Sequence, residues 1–294
     1  MPNMEIVRLS TLSAIHTGGI DRRSDEVKTS GILGSLRWWY EALVRGFGAY
    51  ACDPTEADSC LFDNTAYNRT GEVAEGLRDV CPVCRFFGCT GWSKKFKLLI
   101  TNASNEPGIT LDKPGIEFTL QFIIKKPFLE EEKWLLSRVF LLISKFGSIG
   151  GRTTLKPPKF PDFGLVKLKQ NIESSKKLPE MIDWLNQIMD SSEILSRKLK
   201  MTPKEYPNLR NFFFNPNSWL DRRQMNEVVD SDRTGFMKGR RGISKKLFSF
   251  YKDEGRRFWG YTVGEEMLNI ILQKLEMMQI KGTVRGEEVM LSEL

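Results

Sequence analysis

The sequence predicts an α+β fold of ferredoxin-like units, and three observations carry that prediction. Alternating or β-rich apolar segments mark strands at residues 4–13, 94–102, 115–126 and 163–169. Helical spacing of apolar residues marks 31–48 and 129–146. The resulting order is strand, helix, strand, strand, helix, strand, which is also the architecture of RNA-recognition motifs.

Each element has a local reason. The first strand runs into Gly18 and Gly19, and Ser30 is placed to cap the helix that follows. On that helix Ile32, Leu36, Trp39, Tyr40, Leu43 and Phe47 fall on one arc, so Trp39 is assigned to the core. Trp38 projects to the other side, and Arg37 sits on the border between the faces. Residues 49–93 are polar and irregular, with a short helix near 73–77, and read as an insertion. In the third strand Phe118, Leu120, Phe122 and Ile124 share one face. The second helix opens on Glu130, Glu131 and Glu132, which complement its dipole.

The division expected is 1–170 for the first domain and 171–294 for a second. That second domain is read as helix-rich, a degenerate copy of the first fold. Helices are expected over 178–199 and 263–278, and a hairpin over 280–285 and 288–291. No apolar run reaches the roughly 18 residues of a membrane span. The N-terminus lacks a signal-peptide layout, so a cytoplasmic protein with no membrane partner is expected.

Net charge is +7 and the isoelectric point about 9.1, which favours an anionic partner. Between Arg210 and Arg257 there are 12 Lys or Arg against 6 Asp or Glu. That stretch holds Arg222, Arg223, Lys238, Arg240, Arg241, Arg256 and Arg257, interleaved with aromatics such as Phe248 and Trp259. Bases stack on aromatic faces and phosphates pair with cations, so the mixture suits single-stranded nucleic acid. A solvated basic face over an aromatic core is the alternative. Arg22, Arg23 and Lys28 add a basic loop before Arg37 and Trp38, which themselves suit a phosphate clamp beside a stacking surface.

The segment FGSIGGRTTLKPPKF, residues 146–160, follows a helix and lacks the Gly-Lys-Ser/Thr ending of a nucleotide loop. Its glycines suit close approach to a ligand, with N–H groups turned toward phosphate. Arg152, Lys156 and Lys159 supply charge there. Cys81-Pro-Val-Cys84 has zinc-knuckle spacing, with Cys52, Cys60 and Cys89 nearby. A four-thiolate zinc site and buried free thiols are both open readings. His16 is the single histidine, which excludes a multi-histidine metal centre.

Two stretches resemble a known family. TSGILGSLRWW, residues 29–39, resembles the S-x-x-G-x-L-R-W-W signature of one RAMP subunit, and CPVCRFFG, residues 81–88, the C-x-x-C-R-x-F-G element common among RAMPs. The loop at 147–152 looks like their glycine-rich loop, although it continues as Thr153-Thr154-Leu155 where the family usually has Arg-Gly-Phe-Gly. The resemblance is to the first-numbered subunits of Cmr, the type III-B CRISPR effector. It implies tandem ferredoxin-like domains that bind CRISPR guide RNA and single-stranded target RNA near the guide 3′ region, beside other Cmr subunits. It implies no catalysis and no required cofactor. The alternative it leaves is a metal-independent, guide-processing RAMP endonuclease using His16.

Overall fold

The computed structural model describes residues 3–18, 26–153, 156–200, 206–239, 244–252 and 254–294. Strand β1 (Met4–Thr11) is followed by helix α1 (Thr29–Gly46). Three short helices then precede the next strand: α2 (Asn64–Thr70), α3 (Val73–Gly76) and α4 (Pro82–Phe87). β2 (Phe96–Asn102), β3 (Glu117–Ile124), α5 (Glu130–Lys145) and β4 (Val166–Gln170) complete the first unit. Its sheet runs β2-β3-β1-β4, antiparallel throughout. Val7 lies opposite Leu120, and Leu98 opposite Phe122, so the apolar sets of three strands share one face. All four are buried. Each such side chain contributes about 1.5–3 kcal/mol on burial.

Helix α1 begins earlier than its sequence suggests. Lys28 is its N-cap residue, and Ser30 lies within the first turn. The Thr17 hydroxyl accepts the Lys28 N–H at 2.8 Å, fixing the chain's entry into the helix.

The single helix expected over 178–199 is two, α6 (Leu178–Ile188) and α7 (Ser192–Lys200). Ser191 interrupts them by accepting the Ile194 N–H and bonding the Asp79 carboxylate. Met181, Leu185 and Ile194 are buried, and α6 packs on α5, so these helices sit with the first sheet.

A second βαββαβ unit follows: β5 (Phe212–Asn215), α8 (Arg222–Asp230), β6 (Leu247–Phe250), β7 (Arg257–Tyr261), α9 (Glu265–Met277) and β8 (Val284–Arg285). Its order, β6-β7-β5-β8, repeats that of the first sheet. The C-terminal hairpin expected from sequence does not form. Val284 pairs with Phe214, and the chain then turns helical through α10 (Gly286–Glu288) and a π turn (Val289–Glu293). Val289 and Met290 are both buried in the core shared with α1 and α5.

The run Phe212-Phe213-Phe214 shows how the layers stack. Phe213 packs toward α8 and α9, while Phe212 and Phe214 join the core shared with α1 and α5. Two helices of the first unit are thereby held between two sheets. Among the described residues no helix is long and apolar enough to cross a membrane.

Candidate nucleic-acid interface

A cleft of about 520 Å³ opens where α1, the glycine loop after α5 and the second sheet meet. Helix α1 offers it Ser30, Gly31, Gly34 and Ser35, small residues one turn apart, and then Trp38. Trp39 is buried, and its Nε1 donates to the Ser148 carbonyl at 2.8 Å, tying the loop to the helix. Trp38 does not lie under the insertion. Its ring packs edge-on to Trp39 at 4.9 Å and meets Trp259 at 6.0 Å and Tyr261 at 5.8 Å. Phe248 stacks on Trp259 at 4.0 Å, extending the aromatic wall.

The loop is held by its own backbone. Gly151 N–H donates to the His16 carbonyl at 2.7 Å, Ile149 N–H to Gly164 at 2.8 Å, and Gly150 N–H to the Ser35 hydroxyl at 3.2 Å. These donors are satisfied inside the protein and are not turned toward phosphate. Gly150 has φ 84°, and a Cβ there would lie 2.8 Å from the His16 carbonyl oxygen, so only glycine fits. Arg152 follows with φ 53°, a left-handed conformation that costs a non-glycine residue about 1–3 kcal/mol.

Arg152 and Lys245 are the cations lining the cleft, and no carboxylate lines it among the described residues. Burial and the charge of Lys156 hold the Lys245 ammonium below the ordinary lysine range. Burial, then Arg152, lowers His16 likewise, so the imidazole at the cleft edge is neutral near pH 7. Burial raises the Tyr261 phenol, which stays protonated. The Trp259 indole N–H, also on this wall, has no partner among the described residues.

The other cations singled out from sequence are placed elsewhere. Arg37 is turned into the protein, with Nε 2.8 Å from Glu41 and its remaining donors on the Gly88 carbonyl and the Cys84 sulfur. Contrary to the expected phosphate clamp, each of its three nitrogens has a partner inside the protein, and it does not line the cleft. Arg257 is buried and donates to carbonyls at the end of α5, so it too is structural. Arg222 and Arg223 stand on α8, on the face of the second sheet turned away from α1, with Arg223 paired to Glu227 at 3.1 Å. Lys28, Lys156, Lys159, Lys238 and Arg256 are exposed, and none lines the cleft. Arg22, Arg23, Arg240 and Arg241 lie outside the described residues. Lys245 was legible only as one more charge in a basic stretch, and nothing local marks its half-burial.

The thiols gather apart from the cleft. Cys52, Cys60, Cys81 and Cys84 are buried with their sulfurs all within 4.8 Å of one another, and Cys89 is outside that group.

Because Arg152 is strained and also faces the cleft, stability and binding separate there. Arg152→Gly is expected to leave the melting temperature unchanged or higher, while RNA affinity falls about tenfold. Thermal melts and anisotropy titrations on the same preparation check both.

Comparison with solved structures finds chains similar to this one over most of their length. Cmr1 from Pyrococcus furiosus, in its apo form, aligns over 97% of this chain and 98% of its own at 14% identity and a TM-score of 0.45. A chain of the type III-B Cmr-beta complex bound to cognate target RNA and AMPPnP aligns over 95% and 100%, at 11% identity and a TM-score of 0.48. No curated protein matches the sequence. The sequence model of the RAMP superfamily matches residues 8–155, half of the chain, from β1 through the glycine loop. On that match the chain belongs to the RAMP superfamily.

Proposed function

We propose that the chain is an RNA-binding subunit of a type III-B CRISPR (Cmr) effector, and that the cleft receives single-stranded RNA. The observation that carries this reading is the composition of the cleft. An aromatic wall of Trp38, Phe248 and Tyr261, backed by buried Trp259, lines the cleft with Arg152 and Lys245 and no carboxylate among the described residues. Bases stack on such a wall and phosphates neutralise such cations, whatever the sequence. Superfamily membership and the signature at residues 29–39 support assembly with other Cmr subunits and a guide RNA. Binding near the guide 3′ region, capture of target RNA and the absence of catalysis belong to the same proposal.

The test is binding of labelled single-stranded RNA by the purified chain across a salt series, with cleavage followed in the same tubes in EDTA. Salt-dependent binding of intact RNA is expected. Phe248→Ala should weaken it by about 1–3 kcal/mol, the worth of one stacked base. Cleavage that disappears in His16→Ala would transfer the assignment to a metal-independent nuclease. Absence of binding would leave the cleft without its proposed ligand.

A further inference from the structure

We infer that Cys52, Cys60, Cys81 and Cys84 form a tetrathiolate zinc site that holds the insertion together, with Arg37 positioning the Cys84 sulfur. The four thiols come from three separate stretches of chain, and only Cys81 and Cys84 are near neighbours in sequence. All four sulfurs nevertheless lie within 4.8 Å of one another, with Cys52 to Cys84 at 3.4 Å and Cys81 to Cys52 at 4.0 Å. A zinc ion bound tetrahedrally at Zn–S distances near 2.3 Å sets its sulfurs about 3.8 Å apart. The cluster therefore has the size of a coordination sphere with no rearrangement of the backbone.

Two further features fit a metal-bound tetrathiolate better than four neutral thiols. Donors converge on the sulfurs: Cys81 N–H on Cys60 at 3.3 Å, Cys84 N–H on Cys81 at 3.5 Å, and Arg37 Nη2 on Cys84 at 3.2 Å. Such hydrogen bonds orient metal-bound ligands and spread their negative charge. Guanidinium groups also stand near the cluster. Arg37, Arg45 and Arg85 all act on its thiols; Glu41 ion-pairs with the first two, and Asp53, Asp79 and Glu132 act on Arg45 or Arg85 without ion-pairing. Arg85 gives its donors to the Val80, Leu77 and Arg78 carbonyls. When one Zn²⁺ displaces the four thiol protons to solvent, the unit carries two negative charges, which the nearby guanidinium groups stabilise. Four soft sulfurs in this arrangement select zinc or iron over hard cations.

The segment needs such a device. Between α1 and β2 its helices are four to seven residues long, and α2 buries none of its residues. α4 joins the main core through Val83, Phe86 and Phe87, and a metal would tie the stretch that carries Cys52 and Cys60 to it.

Metal analysis of the full chain, purified without chelator, should give one zinc per chain, released together with four thiols by an organomercurial. The cobalt-substituted protein should show the intense ligand-field bands of a tetrahedral thiolate site. Cys89→Ser should keep the full zinc content, and Cys84→Ser should lose it. Arg37→Gln should keep zinc but release it to a chelator about tenfold faster. A parent protein without zinc, with iron in its place, or with a Cys52–Cys84 disulfide by mass spectrometry would overturn the site. An unchanged extraction rate in Arg37→Gln would remove Arg37 from it. None of these readouts depends on RNA, so the site stands or falls separately from the cleft.

Discussion

The Arg152→Ala/Lys245→Ala double variant is expected to bind single-stranded RNA about 100-fold more weakly than the parent, near tenfold for each charge-assisted hydrogen bond removed. The log–log salt slope should become shallower by about 1.4, at about 0.7 per neutralised phosphate on single strands. The expectation rests on where these cations stand: exposed Arg152 and half-buried Lys245 both line the cleft. Lys245 is half-buried, and its ammonium is disfavoured by that burial and by Lys156. A phosphate in the cleft offsets that cost, whereas a cation in open solvent has none to recover. Arg152 is held at φ 53° beside Gly151, whose N–H is fixed on His16. The control is Arg222→Ala/Arg223→Ala on α8, which removes the same formal charge away from the cleft and should change affinity less than threefold. Anisotropy titrations at several salt concentrations check both pairs. Equal losses in the two would mean that net charge alone drives binding.

Arg257→Ala is expected to cost about 2–4 kcal/mol of folding stability, measured by denaturant unfolding. The guanidinium is buried and donates to Ser144 at 2.7 Å, Gly147 at 3.3 Å and Ile143 at 3.4 Å, with Nε on Gly255 at 3.0 Å. Three of these acceptors are carbonyls left open where α5 ends, so one side chain from β7 caps a helix of the other unit. Removing it strands those carbonyls in the interior and loosens the packing between the units. Arg256→Ala, one residue earlier and exposed, is the matched comparison and should shift stability by less than about 0.5 kcal/mol. A small effect of Arg257→Ala would mean that water can replace the cap.

The first unit was legible because its strands alternate. Phe118, Leu120 and Phe122 sit on one face as their spacing requires, and α1 carries a stripe that puts Trp39 in the core. The second sheet was hidden for the opposite reason. Its strands are two to five residues long, and β5 is buried on both faces, so Phe212, Phe213 and Phe214 read as an apolar run with no period. Sequence shows a charge but often not its partner. Glu41 lies one turn from Arg37 on the same helix and was open to reading, whereas the carbonyls at the end of α5 reach Arg257 only through the fold. Periodicity correctly left Trp38 off the core stripe. What covers it, Trp259 and Tyr261, lies more than two hundred residues away and carried no local sign.

The hydrogen bond from Trp39 to Ser148 has a consequence for how the cleft meets its ligand. The same indole packs on Trp259 at 4.9 Å, so one side chain touches the floor helix, the loop and the far wall. The three surfaces are pinned by a single buried ring and cannot change their spacing independently. The cleft is therefore preorganised, and the entropy of arranging its walls is lost during folding instead of at binding. Association with RNA should then be limited by ordering of the strand, with little closure of the protein around it.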